Sequence, residues 1–309
     1  MRQAYGETLV ELGSERKDII VLDADLSHST HTNIFAQEFP ERFFNCGIAE
    51  QNMMGIASGL ASCGKTVFVS SFAVFATCRC FDQLRMCIAE PGANVKVVAT
   101  HAGISVGEDG FSHHSIEDLT LALSLPHFRV IVPTDAIETR GVVRLAAEND
   151  GPFYIRLPRP KALPVLPEDY HFSLGKAYTL REGRNATIIA CGLMVAKAMG
   201  AAARLEAEGI SCRVLNMSTL KPLDEEAIVK AARETGGIVT AEEHLEHGGL
   251  GSVVAQVVVK HHPVPMSFVA IKNTYAKSGE ANELLKRCGL TSFDIEREVK
   301  SVIGMEGGG

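Results

Sequence analysis

No basic run occurs anywhere in the chain, and acidic residues outnumber basic ones 37 to 30, for a net charge of -7. A nucleic-acid partner, whose phosphates call for a cationic surface, is therefore not expected. No apolar stretch reaches the roughly 18 residues that a membrane-spanning helix requires, so no membrane span is expected. The eight cysteines contain no CxxC pair and no zinc-ligand spacing. Most sit among apolar or small residues and read as reduced, buried thiols of a cytoplasmic protein. The opening MRQAYGETLVEL is an amphipathic pattern with acidic residues, unlike a signal peptide. Internal repeats and low-complexity segments are absent. So is a full dinucleotide fingerprint, which argues against a nicotinamide dehydrogenase.

What is present is an alternation. The 309 residues are 46% hydrophobic, enough for two ordinary globular domains. Short apolar runs predict strands at 19–22, 43–46, 66–69, 95–100, 129–132 and 153–157. Helical patterns fill the gaps at 3–12, 30–39, 51–63, 75–89, 116–123 and 136–148. That rhythm predicts βαβ units and a parallel sheet, so the fold class is α/β. Residues 158–167 then hold four prolines in ten positions. Proline fixes φ and removes a donor, so 158–183 is expected to be an extended linker between domains at 1–157 and 184–304. The second series has strands at 187–191, 212–216, 238–241 and 266–271, and helices at 195–208, 224–235, 250–261 and 281–287. Residues 305–309 are expected to be a disordered tail.

Polar clusters fall at successive strand ends of the first series, where open α/β sheets bind ligands. Asp23 and Asp25 follow the first strand. Glu50 follows the second, within Gly47-Ile48-Ala49-Glu50-Gln51-Asn52. Phe72 and Phe75 follow the third, and His101 the fourth. A buried Glu50 could share a proton with a ring nitrogen; it could equally be an acid favoured by a helix N-terminus. Phe72 and Phe75 could form a flat slot or belong to the core. The segment 101–114 has three histidines, Glu108, Asp109 and glycines that permit tight turns. It suits a polar ligand, with zinc and a plain solvated loop as competing readings. Gly248-Gly249-Leu250-Gly251 could cradle a phosphate, or serve close helix–sheet packing. Glu242-Glu243-His244 just before it could be functional or a strand-end cap.

Taken in order, Asp23-Ala-Asp25-Leu26, Gly47-Ile-Ala-Glu50-Gln-Asn, Ser71-Phe72-Ala-Val-Phe75-Ala-Thr, Thr100-His101-Ala-Gly-Ile…Gly107-Glu-Asp-Gly…His113 and Arg156-Leu-Pro-Arg159 resemble the C-terminal half of transketolase. The resemblance spans about residues 2 to 300. It implies a pyrimidine-binding domain followed by the transketolase C-terminal domain, and thiamine diphosphate as cofactor. By the same resemblance, Glu50 bonds N1′ of the aminopyrimidine, Phe72 and Phe75 hold that ring, and Ile48 is a further cofactor-binding position. Asp25 matches an acid near the thiazolium and the subunit contact. Asp109 and His113 match groups at the sugar hydroxyls and, with Glu50, form the implied catalytic set. His101, Arg159, Ser29 and Arg2 match positions that bind a substrate phosphate. A third family aromatic would fall at Cys78, where this chain departs.

The family's Gly-Asp-Gly…Asn motif for the diphosphate and its Mg2+ is missing. The resemblance therefore implies a partner subunit that carries it, in a dimer of heterodimers. The implied reaction moves a two-carbon ketol unit between sugar phosphates, with the preferred sugars left open, sulfosugars included. The β subunit of a 2-oxoacid dehydrogenase E1 component and a non-catalytic α/β partner module are the rival readings. The Gly-Glu-Asp-Gly loop and Arg159 suit a phosphosugar better than a 2-oxo acid.

Overall fold

A computed structural model describes residues 1–304. The segment expected to be a disordered tail lies outside the described residues. The first sheet uses β1 (Ile19–Asp23), β2 (Phe43–Asn45), β3 (Thr66–Phe72), β4 (Val95–Thr100), β5 (Arg129–Ile131) and β6 (Phe153–Arg156). The second uses β7 (Tyr178–Arg181), β8 (Ala186–Ala190), β9 (Cys212–Asn216), β11 (Ile238–Leu245) and β12 (Met266–Ile271). A further short strand, β10 (Thr219–Lys221), leaves the second series and pairs antiparallel with β5 at the edge of the first sheet. The orders are β10-β5-β6-β4-β3-β1-β2 and β12-β11-β8-β9-β7. Apart from β10 and β7, every pairing is parallel.

Parallel pairing puts the carboxyl ends of β1, β3, β4 and β6 on one rim. Winding reverses where β1 lies between β2 and β3, the kind of point at which α/β sheets bind ligands. β3 and β4 are buried at every position, as strands covered on both faces must be. Tyr5, Leu9 and Leu12 of helix Arg2–Glu15 cover one face together with Val142, Val143 and Ala146 of helix Ala136–Glu148. On the other face a single apolar cluster runs from Val67, Val97 and Phe128 into Ile189, Leu215 and Leu250 of the second series. The two sheets thus share a core.

The proline-rich segment is extended and irregular, as its composition requires, but β7 lies within the expected linker. Asp135 pins this segment. One of its carboxylate oxygens accepts from Val165 N and Leu166 N at 3.0 Å each, while the other caps helix Ala136–Glu148. The helix expected at 75–89 is broken. Helix Ala73–Thr77 ends, residues 78–80 turn, and the chain resumes as Phe81–Gln83 and a π-helix at Leu84–Ala89. The Thr77 hydroxyl donates to Ala73 O at 2.7 Å and the Cys80 thiol to Ala76 O at 3.1 Å. Side-chain donors that claim helical carbonyls in this way bend the backbone. The pattern also overlooked helix Ser292–Gly304, which covers the second sheet with Ile295, Val299 and Val302.

The phosphate reading of Gly248–Gly251 is corrected by Glu242. Its carboxyl group, 1% exposed, accepts from Leu250 N at 2.7 Å and Gly251 N at 2.8 Å. The chain's own acid therefore fills the helix N-terminus. Burial pushes Glu242 up from 4.5 to about 7, with the two backbone donors pulling the other way. His244, 4.0 Å away, is pushed down to about 4 by burial and stays neutral.

A raised carboxyl pKa gives stability that is complete below the unfolded value and lost as pH rises through the folded one. Thermal unfolding between pH 4 and 8 should therefore show a Glu242 contribution that falls with rising pH, by up to about 3 kcal/mol and mostly between pH 4.5 and 7.5. Glu242→Gln should flatten that slope. An equally steep slope in the variant would remove Glu242 as the cause.

Candidate active site

Glu50 is the first residue of helix Glu50–Ser62 and is 1% exposed. Gly47, at φ 69°, takes the left-handed turn that brings the chain off β2 into this helix. The partner of Glu50 is a residue the sequence reading did not select. One terminal nitrogen of the Arg79 guanidinium donates to both carboxylate oxygens, at 3.1 and 3.0 Å. The same guanidinium lies over the Phe75 ring, 4.3 Å from its centroid. Arg79 sits in the turn at 78–80, and its side chain is 46% exposed. No local pattern could reveal the pair, because the helix break aims Arg79 at a carboxylate 29 positions away.

Phe72 ends β3 and Phe75 lies one turn into the following helix. Their rings are 6.0 Å apart and 13° from parallel. His101 stacks on Phe72 at 3.8 Å, and the His113 edge meets Phe72 at 6.2 Å and Phe75 at 5.2 Å. His113 is also 2.9 Å from the Ser112 hydroxyl. His101 is held at φ 55° and lies 2.9 Å from the Thr100 hydroxyl. A non-glycine residue in that region is strained, and such strain clusters at functional sites. Burial first, then the positive charges of Arg2 and Arg159, push His101 down to about 3. It is therefore a neutral hydrogen-bonding group. Histidine ordinarily titrates near neutral pH, and burial removes His101 from that range.

The expected anion-binding residues also converge. Arg2 donates to Ser29 O at 2.6 Å and to Arg159 O at 2.9 Å. Arg159 donates to Val106 O and lies 3.9 Å from Asp109. Ser29 thus enters through its carbonyl, which orients Arg2. Glu108 and Asp109 are exposed at the loop surface, whereas His114 is buried and lies 3.1 Å from Gly107 O, within hydrogen-bonding reach. Among the described residues, no three His, Cys, Asp or Glu side chains gather as a metal site. Asp25 and Ile48 stand apart. Asp25, at φ 64°, accepts from Asn45 at 2.9 Å, and Ile48 is 76% exposed. No hydrogen bond or ion pair joins either to the rest of the set among the described residues.

Below the site, Arg156 and Asp118 form a buried pair at 2.7 and 3.1 Å, and the Tyr154 hydroxyl donates to Asp118 at 2.7 Å. Arg156 also donates to Ser115 O at 3.1 Å and Glu243 O at 3.0 Å. The Glu243 carboxylate accepts from Ser105 N at 2.6 Å and packs so closely on Gly103 that an added Cβ would stand 2.2 Å from it. The 101–114 loop is thus anchored at both ends to the second sheet.

The donor set suits a flat, nitrogen-rich heteroaromatic ring. A buried carboxylate and a stacked aromatic face already hold a flat N–H donor, the Arg79 guanidinium, in that arrangement. Two α/β units in this order, with that rim, define the class. The chain belongs to the transketolase family: the transketolase pyrimidine-binding domain matches residues 1–163 and the transketolase C-terminal domain residues 175–295. Within it, the chain corresponds to the C-terminal subunit of split, two-chain members. It is 46% identical to a putative transketolase C-terminal section of Methanocaldococcus jannaschii, across 97% of this chain and 95% of that one. It is 39% identical to the 6-deoxy-6-sulfo-D-fructose transketolase subunit SqwH of Clostridium sp., across 98% and 94%. A solved split-gene transketolase, an inactive beta4 tetramer, superposes with a TM-score of 0.92 at 50% identity, covering 98% of each chain.

A histidine NMR titration should find His101 neutral from pH 8 down to about pH 4, with its midpoint near 3. Replacing Arg2 and Arg159 together with alanine should raise the midpoint, but burial should keep it below the ordinary value of 6.5. A wild-type midpoint at 6 or above would contradict the assignment.

Proposed function

We propose that this chain is the pyrimidine-holding subunit of a thiamine-diphosphate-dependent transketolase. It would transfer a two-carbon ketol unit from a ketose phosphate to an aldose phosphate. The observation behind this reading is the Glu50 carboxylate, buried at the start of its helix beside the parallel Phe72 and Phe75 rings. Glu50 would hold a proton on N1′ of the aminopyrimidine, and Phe72 and Phe75 would keep that ring flat and dry. When bound, thiamine diphosphate supplies the stabilised carbanion that protein side chains cannot.

The remaining roles follow from position. His113, edge-on to both phenylalanines, and Asp109 would orient and exchange protons with the sugar hydroxyls. Arg2, Arg159 and neutral His101 would clamp the anionic terminus of the substrate. Arginine suits tetrahedral oxyanions, and fixing the far end aligns the reacting end. That clamp suits a phosphate. It also admits a sulfonate, the group carried by the substrate in the name of the Clostridium relative. The diphosphate and its Mg2+ would be held by a second polypeptide bearing the Gly-Asp-Gly…Asn motif that this chain lacks, with two copies of each chain in the assembly.

The purified chain should therefore be inactive alone. Adding that partner, Mg2+ and thiamine diphosphate should start ketol transfer between xylulose 5-phosphate and ribose 5-phosphate, or between their sulfonated analogues. Turnover by this chain alone would refute the two-subunit reading. In the assembled enzyme Glu50→Gln should lower kcat by a factor of about 100 or more, the scale of losing a positioned acid–base group. Arg159→Ala should mainly raise KM, since it acts away from the bond being broken. An unchanged KM would return Arg159 to a purely structural role.

A further inference from the structure

The Arg79–Glu50 contact has the features of the interaction the cofactor ring would make. A flat, cationic, N–H-bearing group lies on the Phe75 face, 4.3 Å from the ring centroid, and gives one nitrogen to both Glu50 oxygens. A protonated aminopyrimidine on Glu50 needs the same carboxylate and the same aromatic face. We propose that Arg79 is a placeholder for the aminopyrimidine: it neutralises Glu50 in the cofactor-free subunit and must swing out for the ring to enter. This deepens the proposed function and rests on it.

The asymmetry of the pair supports this alternation. Glu50 is 1% exposed, and a carboxylate so buried cannot be left without a partner. The Arg79 side chain is 46% exposed, so its departure into water is cheap. The backbone permits the motion, because Arg79 lies in the turn at 78–80 between two short helices rather than within a continuous one. The missing third aromatic belongs to the same account. Position 78 is an exposed cysteine, so no bulky ring there walls the guanidinium in. Emptying the site thus exchanges one flat cation for another over the same acid.

The test uses the chain both alone and assembled with its diphosphate-binding partner. In the chain alone, Arg79→Met should lower Tm when Glu50 is present and change it much less in a Glu50→Gln background. Equal losses in both backgrounds would overturn the pairing. In the assembled complex, calorimetric titration with thiamine diphosphate and Mg2+ should show Arg79→Met binding about fivefold or more tighter than wild type, the scale of removing one half-exposed ionic competitor. Arg79→Lys keeps the charge but covers less of Phe75, and should bind tighter by a smaller factor. It serves as the second variant if Arg79→Met does not fold. A residue that merely props the site would weaken binding when removed, so unchanged or weaker binding in the variants overturns the placeholder while leaving the proposed function in place. No uptake by wild type and variant alike would overturn the proposed function, and the placeholder with it.

Discussion

The buried Arg156–Asp118 pair is the interaction on which the rest of the molecule depends. Its atoms are almost wholly removed from water, at 6% and 0% exposure of the two side chains. Such a pair rarely contributes net stability, but removing one partner strands a charge and costs about 3–5 kcal/mol. Here the remaining hydrogen-bonding capacity is filled structurally. Tyr154 donates to Asp118, and Arg156 donates to the carbonyls of Ser115, just after the 101–114 loop, and of Glu243 in β11. One guanidinium therefore ties the end of β6, the loop with His101, Asp109 and His113, and the second sheet into a single unit.

Several other buried charges follow the same rule of satisfaction by backbone. Glu242 occupies a helix start, Glu243 grips Ser105, and Asp135 holds the proline-rich segment. Each converts a polar group that would destabilise a core into a clamp on an irregular segment. The candidate site sits above this clamped layer, and its parts are differently exposed. Its aromatic slot and Glu50 are shielded, whereas Asp109 and Arg159 face solvent. In the proposed assembly, that exposed side would face the substrate and the second polypeptide.

Much of the fold was legible locally. β4 announces itself by its valine-rich, β-branched content, and helix Ala136–Glu148 by its aspartate cap. What escaped was whatever depends on distant partners. β10 has only three residues and becomes a strand by pairing with β5, far earlier in the chain. The break after Thr77 contains neither glycine nor proline and arises from side-chain donors competing for helical carbonyls. Of the two readings of Gly248–Gly251, the phosphate cradle fails because Glu242 comes back to fill the helix start, whereas close packing holds, since a Cβ on Gly251 would stand 2.4 Å from the Phe268 ring.

By itself, the sequence determined that the chain is α/β and placed Glu50, Phe72 and His101 at strand ends, because hydrophobic period and strand-end position are local properties. Its ordered motifs also located the family. Tertiary structure alone decided the state of those residues. His101 is neutral because its ring is buried, with the charges of Arg2 and Arg159 adding to the effect, Ser29 acts through its carbonyl, and Glu50 is held by Arg79. Charge state and partnership are set by burial and by distances between remote segments, and no spacing along a chain encodes either one.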